Sequence, residues 1–176
     1  MFRKLKNDEL GRISVEQYKE AGKAPIVLVL DNVRSQHNIG SAFRTGDAFR
    51  IAGICLCGIS STPPTPEIHK AALGAEFSVD WAHFDTALEA VERLRGEGYT
   101  IVSVEQAEGA TMLQDFRPEP DRKYALVFGN EVRGVAQEVV DASDICLEIP
   151  QYGTKHSLNV SVSIGIVLWN IILNRL

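Results

Sequence analysis

The side chains best suited to chemistry gather in three polar runs, each placed just after an apolar segment. The first is Asp31-Asn32-Val33-Arg34-Ser35-Gln36-His37-Asn38-Ile39-Gly40-Ser41-Ala42-Phe43-Arg44-Thr45. The second is Phe128-Gly129-Asn130-Glu131-Val132-Arg133-Gly134, and the third is Ile149-Pro150-Gln151-Tyr152-Gly153-Thr154-Lys155-His156-Ser157-Leu158-Asn159-Val160-Ser161. Open α/β sheets bind ligands beyond the carboxyl ends of their strands, which is where all three fall. In the first, Asn38 reads as a helix N-cap. Ile39, Ala42, Phe43 and Phe49 then form an apolar stripe, with Ser41 and Arg44 on the opposite side. The second is a glycine-bounded turn bearing one carboxylate, Glu131. The third opens a helix whose backbone amides could receive an anionic or polar ligand. Each run alone also has a bland reading: a capped helix with a solvated arginine, an ordinary βα turn, and a capped helix start.

Other chemistries are poorly represented. There is no G-x-x-x-x-G-K-[ST] and no G-x-G-x-x-G after the first strand, which disfavours a nucleotide- or flavin-binding protein of the familiar kinds. No G-x-S-x-G elbow occurs, which disfavours an α/β-hydrolase. Cys55 and Cys57 sit two apart in an apolar run and so share one face of a strand. No histidine or further cysteine stands at zinc-ligand spacing from them, so no metal is expected. An odd cysteine count and the absence of a secretory leader read as buried thiols in a cytoplasmic protein. On that ground the sequon Asn159-Val160-Ser161 is discounted. His37 and His156 flank the polar runs, where loop histidines are more often plain surface residues than catalytic groups.

The elements that must position these runs follow from patterning. The chain has 176 residues, a hydrophobic fraction of 45% and a net charge of −5, which suits one globular domain. Residues 1–24 are polar and read as an arm or surface helix ahead of a domain spanning 25–176. From Pro25 onward strands are expected at Ile26–Leu30, Ile54–Ile59, Phe77–Trp81, Tyr99–Val104, Tyr124–Phe128 and Ile145–Ile149. Helices are expected at Asn38–Ile51, Glu67–Leu73, Thr86–Arg95 and Ala136–Ala142. This alternation predicts an α/β fold, a mostly parallel sheet with helices on both faces. Leu158–Leu173 reads as a helix apolar nearly all round, too short and too polar at Asn159, Ser161, Ser163 and Asn170 to span a membrane. Such a helix at the end of a small domain suggests packing against a second subunit. The charge is divided: residues 76–148 hold 16 acidic against 6 basic residues, while the rest of the chain is net positive. The positive part carries the first and third runs, so a surface facing an anion is allowed despite the overall −5.

Read together, the three runs resemble those of the SpoU (TrmH-like) branch of the SPOUT RNA methyltransferases. The match is to N-x-G-x-x-x-R-T from Asn38 to Thr45, G-x-E-x-x-G from Gly129 to Gly134, and I-P-x-x-G-x-x-x-S-L-N-V-S from Ile149 to Ser161. It covers about residues 25–174. The resemblance implies a sheet whose C-terminal part is threaded as a trefoil knot, a homodimer, and methylation of RNA ribose 2′-oxygen by S-adenosylmethionine. It implies that Phe128, Gly129, Asn130, Gly134, Ile149, Pro150, Gln151, Gly153, Ser157, Leu158 and Asn159 hold the methyl donor. Arg44, Asn38, Glu131, Ser157 and Asn159 would serve the reaction, with Arg44 helped by the RNA phosphate. The form of the third motif points to tRNA guanosine, with rRNA as the other substrate. A catalytically silent RNA-binding relative is the reading from another class.

Overall fold

Strand β1 (Ala24–Asp31) is an inner strand of the sheet in the computed structural model, which describes residues 1–174, and shows why a sheet forms. Ile26, Leu28 and Leu30 pack into one hydrophobic layer, while Val27 and Val29 pack into the layer on the other side. A strand buried on both faces needs apolar residues at every position, and Ile26-Val27-Leu28-Val29-Leu30 supplies them. The remaining strands are β2 (Ile51–Cys57), β3 (Trp81–Phe84), β4 (Tyr99–Val104), β5 (Thr111–Met112), β6 (Lys123–Phe128) and β7 (Ile145–Glu148). All neighbouring pairs are parallel, in the order β3-β2-β1-β6-β4-β7-β5. The short β3 and β5 close the two edges, which limits exposed backbone pairing groups.

Helices cover both faces. On one side lie α1 (Val15–Glu20), α2 (Gln36–Ala48), α3 (Pro66–Ala72), α4 (Ala75–Ser78) and α7 (Val160–Leu173). On the other lie α5 (Ala87–Gly96) and α6 (Gln137–Asp141). The order β3-β2-β1 runs outward one way and β6-β4-β7 the other. The first and second polar runs therefore leave adjacent strands β1 and β6 at the same end of the sheet. The third run, between β7 and α7, reaches them because α7 packs against α2.

Several expected elements shift. Phe77–Trp81 is not a strand: Gly74 takes a left-handed conformation, Ala75–Ser78 coils into α4, and the strand begins only at Trp81. The alternation of Phe77, Val79 and Trp81 is misleading because only Val79 is buried. The cap of α2 is Ser35, whose Oγ accepts the amide of Asn38 at 3.3 Å, so Asn38 lies inside the helix with its side chain free for other partners. β5 carries too few residues to leave a pattern. In the N-terminal segment Tyr18 is only 3% exposed, sits in the core and donates its hydroxyl to the Ile51 carbonyl. Lys19 pairs with Asp80, fastening α1 to the start of β3.

Cys55 and Cys57 do share one face of β2, in the layer with Val27 and Val29. Burial pushes the Cys55 thiol up to about 12 and raises Cys57 as well. Both should therefore be inert in the folded protein, since only the thiolate reacts. At pH 8 the native protein should release less than one equivalent of thionitrobenzoate from Ellman's reagent within minutes, and three after denaturation. Fast release of two or more from the native state would contradict this burial.

Candidate functional site

A cavity of about 490 Å³ opens where β4, β6 and β7 end, within the size range of small-molecule sites. Its walls come from three loops. Phe128 to Gly134 forms one side, Ile149, Gln151 and His156 to Asn159 a second, and Val104, Glu105 and Gln106 a third. The second polar run keeps its shape by pairing with itself. The Asn130 amide donates to the Gly134 carbonyl at 3.0 Å and the Gly134 amide donates back at 2.9 Å. Asn130 Oδ1 accepts the amides of Val132 and Arg133, and Asn130 Nδ2 reaches the Asn32 carbonyl at 2.7 Å. Gly134 has φ +70°, a region that favours glycine.

Glu131 is the node that joins the runs. Its carboxylate accepts the amides of Arg34 and Ser35, both at 3.1 Å, and Asn38 Nδ2 at 3.0 Å. Asn38 Oδ1 in turn accepts Asn159 Nδ2 at 3.2 Å. Asn159 caps α7, taking the Ser161 amide on its Oδ1 at 2.9 Å. One residue from each run is thus tied into a chain, Glu131–Asn38–Asn159, at the lip of the cavity. Burial alone would raise the Glu131 carboxyl, but the hydrogen bonds from Arg34, Ser35 and Asn38 outweigh it and hold the group below its ordinary value near 4.5. A carboxyl that is more acidic when folded stabilises the protein above the unfolded-state pKa, and that stability is lost as pH falls through the folded value. Glu131→Gln should therefore cost stability at pH 7 and progressively less below about pH 4, as read by urea denaturation at both pH values. An equal cost at pH 7 and pH 3 would remove the carboxylate from this role.

The structure sorts the sequence-derived candidates. Phe128, Gly129, Asn130, Glu131, Gly134, Ile149, Gln151, Ser157, Leu158 and Asn159 line the cavity. Pro150 and Gly153 lie outside its lining, and Asn38 stands behind it through Glu131 and Asn159. Arg44 is elsewhere. Asn38 and Arg44 are six residues apart, a rise of about 9 Å along a helix with a turn to a different face. Arg44 faces a second cavity, shared with Arg12, Arg50 and Phe77. Glu105 and Gln106 are site residues that the sequence did not single out. Glu105 accepts the amides of Gln106 at 2.8 Å and Val135 at 3.0 Å, and Gln106 Nε2 donates to the His156 carbonyl at 2.6 Å. The signal was available, since they follow β4 just as the other runs follow their strands, but Glu105-Gln106-Ala107 has no distinctive composition. Among the described residues no group of three or more His, Cys, Asp or Glu side chains could hold a metal. Nor is any helix there long and apolar enough to cross a membrane.

A parallel α/β sheet with its cleft formed by three loops at one end, each following one of the neighbouring strands β6, β4 and β7, defines the class. Residues 25–169 match the SpoU rRNA Methylase family, and the chain belongs to that family. A putative TrmH family tRNA/rRNA methyltransferase of Staphylococcus aureus is 31% identical over 162 residues, which is 92% of this chain and 64% of that protein. The chain thus spans a little under two thirds of the length of the curated relatives it matches. Among solved structures, an AdoMet-bound rRNA methyltransferase from Sinorhizobium meliloti superposes with a TM-score of 0.81 at 27% identity, covering 90% of this chain and 60% of that one. A structure solved to explain 2-OH methylation of C/U34 on tRNA gives 0.75 at 26% identity, covering 86% and 97%.

Proposed function

We propose that the chain transfers a methyl group from S-adenosylmethionine to the 2′-hydroxyl of an RNA ribose. The observation that carries this reading is the hydrogen-bonded chain Glu131–Asn38–Asn159, which welds all three polar runs around one cavity. The lining suits the donor. Val104, Phe128, Ile149 and Leu158 offer apolar contact for a base, while Glu105, Glu131 and the backbone of residues 128–134 offer acceptors for hydroxyls and for positive charge. S-adenosylmethionine would be held by the loops at residues 128–134, 149–151 and 157–159 and would supply an electrophilic methyl group for the ribose oxygen, with the hydroxyl proton passing to solvent or phosphate.

The chain's own residues act mainly by alignment, which can supply much of such a barrier. Glu131 and Asn38 hold the start of α2 against the donor cavity, and Asn159 fixes the start of α7 beside Ser157. Arg44 clamps the RNA phosphate and the oxygen that becomes negative. A guanidinium stays protonated at neutral pH, so it serves better as an electrostatic partner than as a base. Because Arg44 points away from the donor cavity of its own chain, the reacting centre is completed by a second copy. The outward face of α7 supports that: Val162, Ile166, Trp169 and Leu173 recur at helical spacing and are exposed, beside the half-buried Phe49 of the turn after α2. The C-terminal segment is threaded as in the SPOUT fold, residues 1–24 lead into the domain with Tyr18 docked in its core, and the protein works in the cytoplasm.

The substrate is tRNA, with a guanosine ribose as the first target; rRNA is the second reading, favoured by the rRNA enzymes among the matches. The deciding experiment supplies labelled S-adenosylmethionine with unmodified tRNA and rRNA transcripts and maps any modified ribose. Transfer to a ribose 2′-oxygen is the expected result. Absence of label in every RNA, with S-adenosylmethionine bound, would leave a silent RNA-binding relative instead.

A further inference from the structure

The second cavity, about 720 Å³, lies between the N-terminal segment, the C-terminal half of α2 and the α3–α4 turn. The donor cavity does not use it. Three guanidinium groups, Arg12, Arg44 and Arg50, line it against a single carboxylate, Asp47. Among the described residues none of the three arginine side chains makes a hydrogen bond or ion pair, so their donors are free. Phe77 forms another part of the wall, is 58% exposed, and packs against the His69 ring with centroids 5.9 Å apart. Arg50 has φ +48°, a conformation in which glycine would cost less. On the N-terminal side Tyr18 is buried and Lys19 pairs with Asp80, which anchors α1 beside the groove.

We propose that this groove binds a single-stranded stretch of the RNA next to the target nucleotide. Arg12 and Arg50 take phosphates, and Phe77 gives a base a stacking surface. The proposal rests on the methyltransferase reading above and extends it to the grip on substrate. Charge decides the occupant: a free guanidinium cluster beside an exposed aromatic ring, in a protein whose acidic residues lie mostly elsewhere, suits a polyanion with flat bases. Arg44 opens into the same groove, so a nucleotide chain lying there is led towards the residue assigned to the reacting phosphate.

Three measurements on the full chain test it. With a fluorescein-labelled single-stranded RNA of about ten nucleotides, Phe77→Ala should weaken binding by on the order of tenfold. Arg12→Gln with Arg50→Gln should weaken it and reduce the slope of log affinity against log salt by roughly one to two. Calorimetric binding of S-adenosylmethionine should stay unchanged in all variants. Native-like affinity and salt slope in variants with wild-type melting temperatures would overturn the groove, as would a drop to monomer in sizing, which would make it a contact between copies. The two proposals fail separately. RNA binding that depends on Phe77 and Arg12 without any methyl transfer would sink the function and spare the groove; methyl transfer with unaltered variants would do the reverse.

Discussion

Arg44→Ala is expected to slow single-turnover methyl transfer by on the order of 10²–10³-fold while leaving S-adenosylmethionine affinity within about twofold, the range seen when one preorganised partner of a developing oxyanion is removed. The split follows from placement. Arg44 projects from the exposed side of α2 into the arginine-lined groove and is absent from the lining of the cavity between the three loops. Removing it leaves the Glu131–Asn38–Asn159 chain intact, so the methyl donor should bind as before. Retention of more than about a tenth of the rate would remove Arg44 from the mechanism. A mixing experiment then asks where the arginine acts. If each reacting centre combines the cavity of one copy with Arg44 of the other, equal amounts of Arg44→Ala and Gly129→Ala, refolded together, should recover about a quarter of wild-type activity. Half the symmetric dimers would be mixed, and each would hold one intact centre. No recovery at all would place the arginine's action within a single chain.

Gly129→Ala is the second large effect, and it acts on the donor instead. A Cβ at position 129 would stand 2.0 Å from the Gly134 carbonyl carbon and 2.1 Å from the Val135 nitrogen. Both are backbone atoms. They are tied down by the paired hydrogen bonds between Asn130 and Gly134 and by the Val135 amide on Glu105. No flexible side chain can yield, so the turn must open. S-adenosylmethionine affinity should fall by more than about 100-fold, an overpacking cost of roughly 3 kcal/mol, with a lowered melting temperature. Gly153→Ala is the control. Nothing lies within 4 Å of a Cβ there, and residue 153 stays outside the cavity lining. Its donor affinity should match wild type. If both variants bind normally, the cavity between the three loops is not the donor site.

The parts of the fold legible in the sequence are those set by short-range patterning. A run such as Ile26-Val27-Leu28-Val29-Leu30 has no reason to exist outside a strand covered on both faces, and the structure buries all five. Thr86 before Ala87–Gly96 and Asn159 before Val160–Leu173 mark helix starts because their side chains accept the first free amides. Where two local signals competed, context decided. Phe77–Trp81 alternates like a strand, yet Gly74 turns the chain into a helical coil that leaves Phe77 exposed. Asn38 has the chemistry of a cap, but Ser35, three residues earlier, takes that role and frees Asn38 to bridge Glu131 and Asn159. Glu105 and Gln106 escaped notice for a related reason: their part is to accept and donate hydrogen bonds across loops 30 to 50 residues away, and a spacing that long carries no period.

By itself the sequence determined the parallel α/β plan, the two-sided burial of the central strands, and three ordered motifs that identify the family, because side-chain polarity and chain direction act over a few residues. Only the tertiary structure decided how those motifs meet. Strand order brought β1 beside β6, so that one carboxylate could accept two amides and an amide side chain from a segment more than ninety residues away. The same packing turned Arg44 away from the cavity between the three loops and into a groove with Arg12, Arg50 and Phe77. A helix face is fixed by what packs against it, and that is a property of the whole chain.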